Sequence, residues 1–259
     1  ETRVFKGFSR INPNNKSNKQ ELSNEPVAWL PAVEVFGEGI FLKFKDDAVD
    51  EWLDKYGTNI ETYKIDVSEE SQVKDIIGGV VNDFGRIDSV FANAGINVYG
   101  GSFEEMDTDV YRKVLSVNLD GVFFTLRESC KHMVERAKNG DPGGSLIGVA
   151  SLAGIEGAAK TQPYSASKGG VVAMIKGITV EHARYGIRAN TIVPGWIATD
   201  MTSQSQKSEK FTSKVISRVP MRRWGEPKDF AGISVYLASD SSSYHSGDTF
   251  VVDGGYAIF

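Results

Sequence analysis

The chain has 259 residues, of which 41% are hydrophobic and 24% are charged, and this composition is typical of a globular protein with one large core. Its formal net charge of −5 argues against nucleic acid or an anionic membrane as the main partner. The single cysteine, Cys130, cannot form an intrachain disulfide and suits a reducing compartment. No apolar run reaches the ~18 residues that span a bilayer and no leader pattern opens the sequence, so we expect a cytoplasmic protein with no membrane partner.

The first 57 residues lack a regular pattern. Ile11–Gln20 is polar and rich in turn-forming residues, which predicts a loop. Val35–Leu42 carries two glycines between apolar runs and indicates a β-hairpin, whereas Asp46–Tyr56 indicates a helix with an acidic cap. Short strands are predicted at Val27–Leu30, Ala32–Phe36 and Ile40–Phe44. We therefore expect an atypical segment over residues 1–57, followed by a catalytic domain over residues 58–259.

From residue 58 onward, strand and helix patterns alternate. Such alternation predicts an α/β fold with a doubly wound parallel sheet that is covered by helices on both sides. The predicted strands are Glu61–Ile65, Ile87–Phe91, Ser145–Ala150, Arg188–Val193 and Asp248–Val252, and the predicted helices are Glu69–Phe84, Asp107–Ala137, Tyr164–Tyr185 and Pro227–Ala238. Met201–Ser213 is polar and is interpreted as either a solvated loop or a cover over a substrate.

Tyr164 and Lys168 are four residues apart in the sequence Tyr-Ser-Ala-Ser-Lys. On a helix this spacing puts the phenol and the ammonium on one face. A tyrosine ionises near pH ~10, so a nearby positive charge is needed before its phenol exchanges protons readily at neutral pH. The pair alone is also compatible with an ordinary surface contact on a helix.

Other polar residues stand where predicted strands end. Ser151 follows Ser145–Ala150, Asn93 follows Ile87–Phe91, and the Pro194-Gly195 pair follows Arg188–Val193. Open parallel sheets place their ligand crevice at these carboxyl ends. Individually, Ser151 reads as a cap, Asn118 as a helix side chain bonded to its own backbone, and Pro194-Gly195 as a turn. Hydroxyl, phenol and amide groups at such an edge are donors of the kind that a developing alkoxide requires.

These residues, from about Thr58 to the end of the chain, resemble the short-chain dehydrogenase/reductase family. The resemblance implies a Rossmann-type fold and a catalytic set of Asn118, Ser151, Tyr164 and Lys168. Tyr164 would be the general acid or base, and Ser151 would hydrogen-bond the substrate oxygen. Lys168 would lower the pKa of the phenol and hold the nicotinamide ribose, while Asn118 would keep a water in line with Lys168.

The same resemblance implies a site for NAD or NADP, with NADPH slightly favoured. Asn93, Ala94 and Gly95 match the turn beside the adenosine ribose, and Asp66 with Val67 matches the pair that faces the adenine. The segment that fixes the nicotinamide carboxamide is matched by Pro194, Gly195, Ile197 and Thr199. Met201–Ser213 falls where the family has a mobile substrate lid.

The chain departs from the family before Thr58, because it has no Thr-Gly-x-x-x-Gly-x-Gly turn to seat the cofactor pyrophosphate. Glycines in that turn let backbone N–H groups approach the phosphates. The hairpin-like Val35–Leu42 does not replace it. We therefore expect a reductase whose amino-terminal quarter has been replaced and whose cofactor binding is impaired.

The expected activity is NAD(P)-dependent interconversion of a secondary alcohol and a ketone, with polyol, ketose or 3-oxoacyl compounds as substrates. The alternatives are a catalytically silent oligomeric scaffold and, disfavoured by the acidic balance, a nucleic-acid-associated module. The three histidines His132, His182 and His245 are too far apart to predict a metal site. By resemblance, the small residues Gly169, Gly170, Ala173 and Gly177 imply a helical interface in a homodimer or homotetramer.

Overall fold

The computed structural model describes residues 63–98 and 101–259. The loop, strands, hairpin and helix predicted before residue 57 lie outside the described residues, as does the start of the predicted strand Glu61–Ile65. Within the described part, Ile65 forms a single bridge position rather than a strand.

Among the described residues, four parallel strands form one sheet in the order β1-β2-β3-β4. They are β1 (Ser89–Ala92), β2 (Gly144–Val149), β3 (Ile187–Pro194) and β4 (Thr249–Val252). Each matches a strand predicted from the sequence, with bounds that differ by one or two residues. Because the strands run in chain order and all in parallel, their carboxyl ends lie side by side along one edge.

Helices cover both faces of this sheet, which confirms the predicted α/β Rossmann-type fold. They are α1 (Glu70–Phe84), α2 (Thr108–Leu115), α3 (Val122–Lys138), α4 (Gln162–His182), α5 (Ser203–Gln206), α6 (Glu209–Arg218) and α7 (Ala231–Ala238). The side chains of successive residues in β2 point to opposite faces of the sheet. Leu146 belongs to the core cluster that contains Val171 and Ile175 of α4, whereas Ile147 packs with Leu237 of α7.

Two predicted elements differ from the structure. The long helix expected over Asp107–Ala137 is interrupted by a π-helical segment, Ser116–Gly121, between α2 and α3. The polar stretch Met201–Ser213 is mostly helical, because it contains α5 and the first half of α6. In α6, Phe211 and the buried Val215 are four residues apart, so the helix has an apolar side despite its polar composition.

The small residues of α4 do not all face outward. A Cβ added to Gly169 would lie 3.2 Å from the carbonyl oxygen of Gly154, and one added to Gly170 would lie 2.9 Å from Cδ1 of Leu119. Both glycines thus have close neighbours within their own chain, and their place in an intersubunit contact stays a prediction. Only the exposed Ala173 and Gly177 of this set leave open space, and a Cβ at Gly177 meets no atom within 4 Å.

We expect Gly170→Leu to lower the free energy of unfolding by about 1–3 kcal/mol, because the new side chain overlaps Leu119. Urea unfolding of the variant measures the loss. Adding Leu119→Ala should restore part of it, and Gly177→Ala on the same helix should be neutral or slightly stabilising. Gly170→Leu with wild-type stability would contradict this packing.

Candidate active site

Three loops that carry predicted site residues meet at the carboxyl edge of the sheet. Asn93–Gly95 follows β1, Ser151 follows β2 by one residue, and the segment 194–199 begins with the last residue of β3. Since β2 pairs with both β1 and β3, these loops are neighbours in space as well. The sequence-based prediction that they share one crevice is consistent with this topology.

Lys168 is the most unusual side chain at this edge, because it is charged and only 3% exposed. Its Nζ donates a hydrogen bond to the carbonyl oxygen of Val149, 2.8 Å away, at the end of β2. Burial lowers the pKa of the Lys168 ammonium to about 8. An ammonium has three N–H donors, so the bond to Val149 leaves donors for a ligand.

Tyr164 lies one turn before Lys168 on α4 and is half-buried. Nζ of Lys168 is 5.8 Å from the centroid of the Tyr164 ring. The helix therefore brings the phenol and the ammonium to one face, as their spacing predicts. α4 begins at Gln162 and has Pro163 in its first turn, where a missing backbone N–H costs no hydrogen bond.

Asn118 is fully buried in the π-helical segment, and its amide holds the loop after β1. Oδ1 accepts from the backbone N–H of Ile96, and Nδ2 donates to the Ile96 carbonyl, both at 2.8 Å. Nδ2 also donates to Oγ of Ser167 at 3.3 Å. The inserted π turn thus places an amide where it satisfies both polar groups of one buried residue.

Gly95 lies next to the polar ends of both Lys168 and Asn118. A Cβ added to Gly95 would lie 3.2 Å from Nζ of Lys168 and 3.3 Å from Oδ1 of Asn118. The structure therefore brings Gly95, Asn118 and Lys168 together. Any larger residue at position 95 would displace the two polar groups.

Ser151 has an extended backbone, and its Oγ accepts a hydrogen bond from the N–H of Ala153 at 3.3 Å. The turn that follows, Leu152–Gly154, packs against α4. A Cβ at Gly154 would be 2.7 Å from the carbonyl carbon of Lys168. The backbone of the turn after β2 therefore lies in direct contact with the backbone of α4 at Lys168.

The segment 194–199 is fixed from two directions. A Cβ at Gly195 would come within 2.5 Å of the Asp253 Cβ, and the Gly195 N–H donates to the Val252 carbonyl at 3.0 Å. Ile197 forms an isolated parallel bridge with Gly225. Thr199 caps the short turn Asp200–Thr202 in a reciprocal capping box with Thr202.

The residues expected near the adenine lie in the turn before α1. Oδ1 of Asp66 accepts from the N–H and the hydroxyl of Ser68, at 2.9 and 2.7 Å. Val67 is buried, and a Cβ at Gly121 would lie 2.7 Å from its Cγ2. The side chain of Val67 is thus part of the core, while Asn93 is exposed next to the buried Ala94.

Sequence reasoning missed Gly225 and Asp253 as residues that contact the segment 194–199. Both are far from it along the chain, and the available signals were only the turn-forming sequences Gly-Glu-Pro after Trp224 and Asp-Gly-Gly after Val252. Turn signals locate a bend but do not show which segment it contacts.

The residues present fit the nicotinamide-ribose half of a dinucleotide cofactor. Lys168 offers buried N–H donors suited to ribose hydroxyls, and Gly95 keeps the space beside them narrow but free of a side chain. Among the described residues, no three His, Cys, Asp or Glu side chains are grouped as metal ligands. The described polar side chains at this edge carry hydroxyl, phenol, amide and ammonium groups.

Comparison with known proteins decides the family. A family model described as enoyl-(acyl carrier protein) reductase matches residues 39–257. The chain belongs to the short-chain dehydrogenase/reductase family. The match begins at residue 39, so it extends into the segment that the sequence alone marked as atypical.

Relatives cover most of the chain. A 2-dehydro-3-deoxy-D-gluconate 5-dehydrogenase from Pseudoalteromonas atlantica is 34% identical over 86% of this chain and 85% of its own. An NADP-dependent (R)-specific alcohol dehydrogenase from Lentilactobacillus kefiri is 40% identical, with 74% of each chain covered. A solved gluconate 5-dehydrogenase from Burkholderia cenocepacia, in complex with NADP and tartrate, superposes with a TM-score of 0.70 at 32% identity, covering 74% of this chain and 73% of its own.

The protein is accordingly an NAD(P)-dependent oxidoreductase of this family. This confirms the family, fold and enzyme class expected from the sequence. In the part of the chain that the structure describes, no helix has the length and apolarity to cross a membrane.

Because its pKa is about 8 in the folded protein and 10.5 without burial, the Lys168 ammonium destabilises the fold below pH 8. The free energy of unfolding therefore rises as the pH goes from 8 to 10.5, because the folded protein no longer buries the charge. A shift of this size corresponds to about 3 kcal/mol, and the lost bond to Val149 offsets about 1 kcal/mol. We therefore expect Lys168→Met to stabilise the free protein by about 2 kcal/mol at pH 7.

Urea unfolding at pH 7 and pH 10 measures this effect, and the gain should shrink at the higher pH. Lys176→Met, at an exposed position of the same helix, is the matched control and should show no such pH-dependent gain. A Lys168→Met variant less stable than wild type at pH 7 would show that the buried charge is well compensated in the free protein.

Proposed function

We propose that the protein interconverts a secondary alcohol and a ketone by hydride transfer, with Tyr164, Lys168, Ser151 and Asn118 as the catalytic set. The observation that carries this proposal is the buried Lys168 ammonium, held by Val149 at the carboxyl edge of the sheet on the same helical face as Tyr164. Burial of a cation is costly, and such groups are characteristic of functional sites.

In the reductive direction, the hydride would come from bound NADPH or NADH. The Tyr164 hydroxyl donates a proton to the carbonyl oxygen, whose negative charge develops as the hydride arrives. The Ser151 hydroxyl hydrogen-bonds the same oxygen, and the Lys168 ammonium stabilises the phenolate that remains. Asn118 positions the loop that contains Gly95 beside Lys168 and, in this proposal, orients a water that returns a proton through Lys168. In oxidation, each proton moves in the opposite direction.

The proposed cofactor contacts are Lys168 and Tyr164 at the nicotinamide ribose and the segment 194–199 at the carboxamide. Asn93, Ala94 and Gly95 would lie along the adenosine ribose, with Asp66 and Val67 at the adenine. NADPH is the proposed form, in line with the NADP-dependent alcohol dehydrogenase and the gluconate 5-dehydrogenase in complex with NADP. Because no glycine-rich turn precedes Thr58, we propose a lower dinucleotide affinity than a complete turn would provide.

Polyols, ketoses and 3-oxoacyl compounds are the proposed substrate classes. The related proteins include a sugar-acid dehydrogenase and an alcohol dehydrogenase, which supports a small polar alcohol or ketone.

A cytoplasmic location is proposed from the single, buried cysteine. The alternative of a silent scaffold predicts no dinucleotide binding at all.

Tyr164→Phe should lower the rate of ketone reduction by about 10²–10⁴. The affinity for NADPH should fall far less, because the ring remains and only its hydroxyl, the proton donor and one of the proposed ribose contacts, is lost. Steady-state rates give the first quantity and calorimetric titration gives the second. Equal turnover by both proteins would refute the role of Tyr164. A wild-type protein that binds neither NADPH nor NADH would favour the scaffold.

We also propose that the protein forms a homodimer or homotetramer through α3 and α4. These helices border an apolar groove of about 370 Å³. It is lined mainly by Phe123, Leu126, Cys130, Val134, Met174 and Ile178. Phe123 is 41% exposed there and carries the Arg127 guanidinium 4.9 Å from its ring. Burial of this apolar surface in a second copy would supply the driving force.

Phe123→Glu should shift sedimentation toward smaller species, because a carboxylate would be buried in the contact. Phe103→Glu is the matched control, since Phe103 is 71% exposed and does not line the groove. An unchanged mass for Phe123→Glu, or an equal change for both variants, would argue against this interface.

A further inference from the structure

A short segment after α6, which contains Gly225, forms backbone hydrogen bonds with the segment 194–199, the proposed carboxamide-binding segment. The Gly225 N–H donates to the Trp196 carbonyl at 2.9 Å, and the Ala198 N–H donates to the Gly225 carbonyl at 2.8 Å. The two hydrogen bonds flank Ile197, which is the bridge partner of Gly225. The backbone of Ile197 is thus fixed by a residue 28 positions later in the chain.

A side chain at position 225 requires Ile197 to move in this arrangement. An added Cβ would lie 2.5 Å from Cδ1 of Ile197, whereas the next nearest atom, the Trp196 carbonyl oxygen, would be 3.5 Å away. Gly225 is not one of the glycines with positive φ, so alanine is disfavoured there by this contact and not by backbone conformation. The obstacle is a single methyl group of Ile197.

Charged groups on both sides hold Gly225 in place. Arg223 donates two hydrogen bonds to the Asp229 carboxylate, at 2.7 and 2.8 Å, and Oδ2 of Asp229 also accepts from the Glu226 N–H at 2.7 Å. The hydrogen bonds from Arg223 are the main reason that the pKa of Asp229 is lowered to about 2. The Asp229 carboxylate therefore stays ionised at neutral pH, and it keeps its hydrogen bonds to Arg223 and to the Glu226 N–H.

Aromatic rings pack against the Trp196 side chain. The Trp196 ring makes edge-to-face contacts with Trp224 and Phe211, with centroids 5.9 and 5.2 Å apart, and a similar contact with Tyr256 at 6.4 Å. Such contacts have preferred geometries, so they restrict rotation of the segment.

We propose that Gly225 is a positioning residue for the nicotinamide: it sets the backbone of Ile197, and a side chain at position 225 would move that backbone through Cδ1 of Ile197. This inference rests on the proposed function, which places 194–199 at the carboxamide. Gly225 itself touches neither substrate nor cofactor in this account. A displacement near 1 Å at such a segment is enough to reduce a rate about 10²-fold.

The test is a double-mutant cycle of Gly225→Ala and Ile197→Val, because valine lacks the Cδ1 that blocks the alanine. Calorimetric titration with NADPH gives the affinity. Hydrogen exchange of the Ala198 and Gly225 amides in the free protein reports the backbone pairing without any turnover. Gly232→Ala is the matched control, because a Cβ at Gly232, on α7, meets nothing within 4 Å.

We expect Gly225→Ala to weaken NADPH binding at least about tenfold and to speed exchange of both amides. The double variant should bind within about threefold of Ile197→Val alone, and Gly232→Ala should bind like wild type. Wild-type affinity and exchange in Gly225→Ala, or a double variant as weak as Gly225→Ala, would overturn this inference alone. A wild-type protein that binds neither NADH nor NADPH would overturn the proposed function and this inference with it.

Discussion

The site is organised around one buried cation. The Lys168 side chain is 3% exposed, and its ammonium donates a hydrogen bond to the Val149 carbonyl at the end of β2. Desolvation of a charge is expensive, so its surroundings must keep it in place. Backbone proximity achieves this: Gly154 lets the turn after β2 pack onto the helix at Lys168, and Gly95 lets the loop after β1 approach its Nζ.

The rest of the edge can be understood as support for that arrangement. Asn118 saturates the backbone of Ile96 and so fixes the loop that contains Gly95. On the other side, the sheet continues into Pro194, and the following segment is held between Asp253 and Gly225. Rigid loops on both sides of Lys168 fit a mechanism that depends on placing donors before charge develops.

Much of this could be predicted from the sequence, because the relevant signals are local. Apolar runs located the four strands, the four-residue spacing of Tyr164 and Lys168 placed both on one helical face, and strand ends placed Ser151 and Pro194 at one edge. Serine and lysine obscured the apolar side of α6, so Met201–Ser213 did not read as helical. In the structure Phe211 packs on Trp196, a contact between distant residues that the polar composition does not indicate.

Other features depend on contacts that periodicity does not encode. A π-helical turn leaves the apolar pattern of a long helix almost unchanged, so the break at Ser116–Gly121 was not expected. The small residues of α4 were interpreted only as a helical interface, and the close approach of Leu119 to Gly170 within the chain was not expected. The pairing of Ile197 with Gly225 joins residues that are distant in sequence, and a single sequence shows no sign of it.

The central claim is that this edge directs a hydride to a carbonyl from one fixed face of the nicotinamide. Single-turnover reduction of a ketone with NADPH deuterated at either the pro-R or the pro-S position of C4 tests this directly. We expect deuterium at the new carbinol carbon from one of the two labelled cofactors and none from the other. Transfer from both labels in comparable amounts, or product without deuterium from either, would contradict the account.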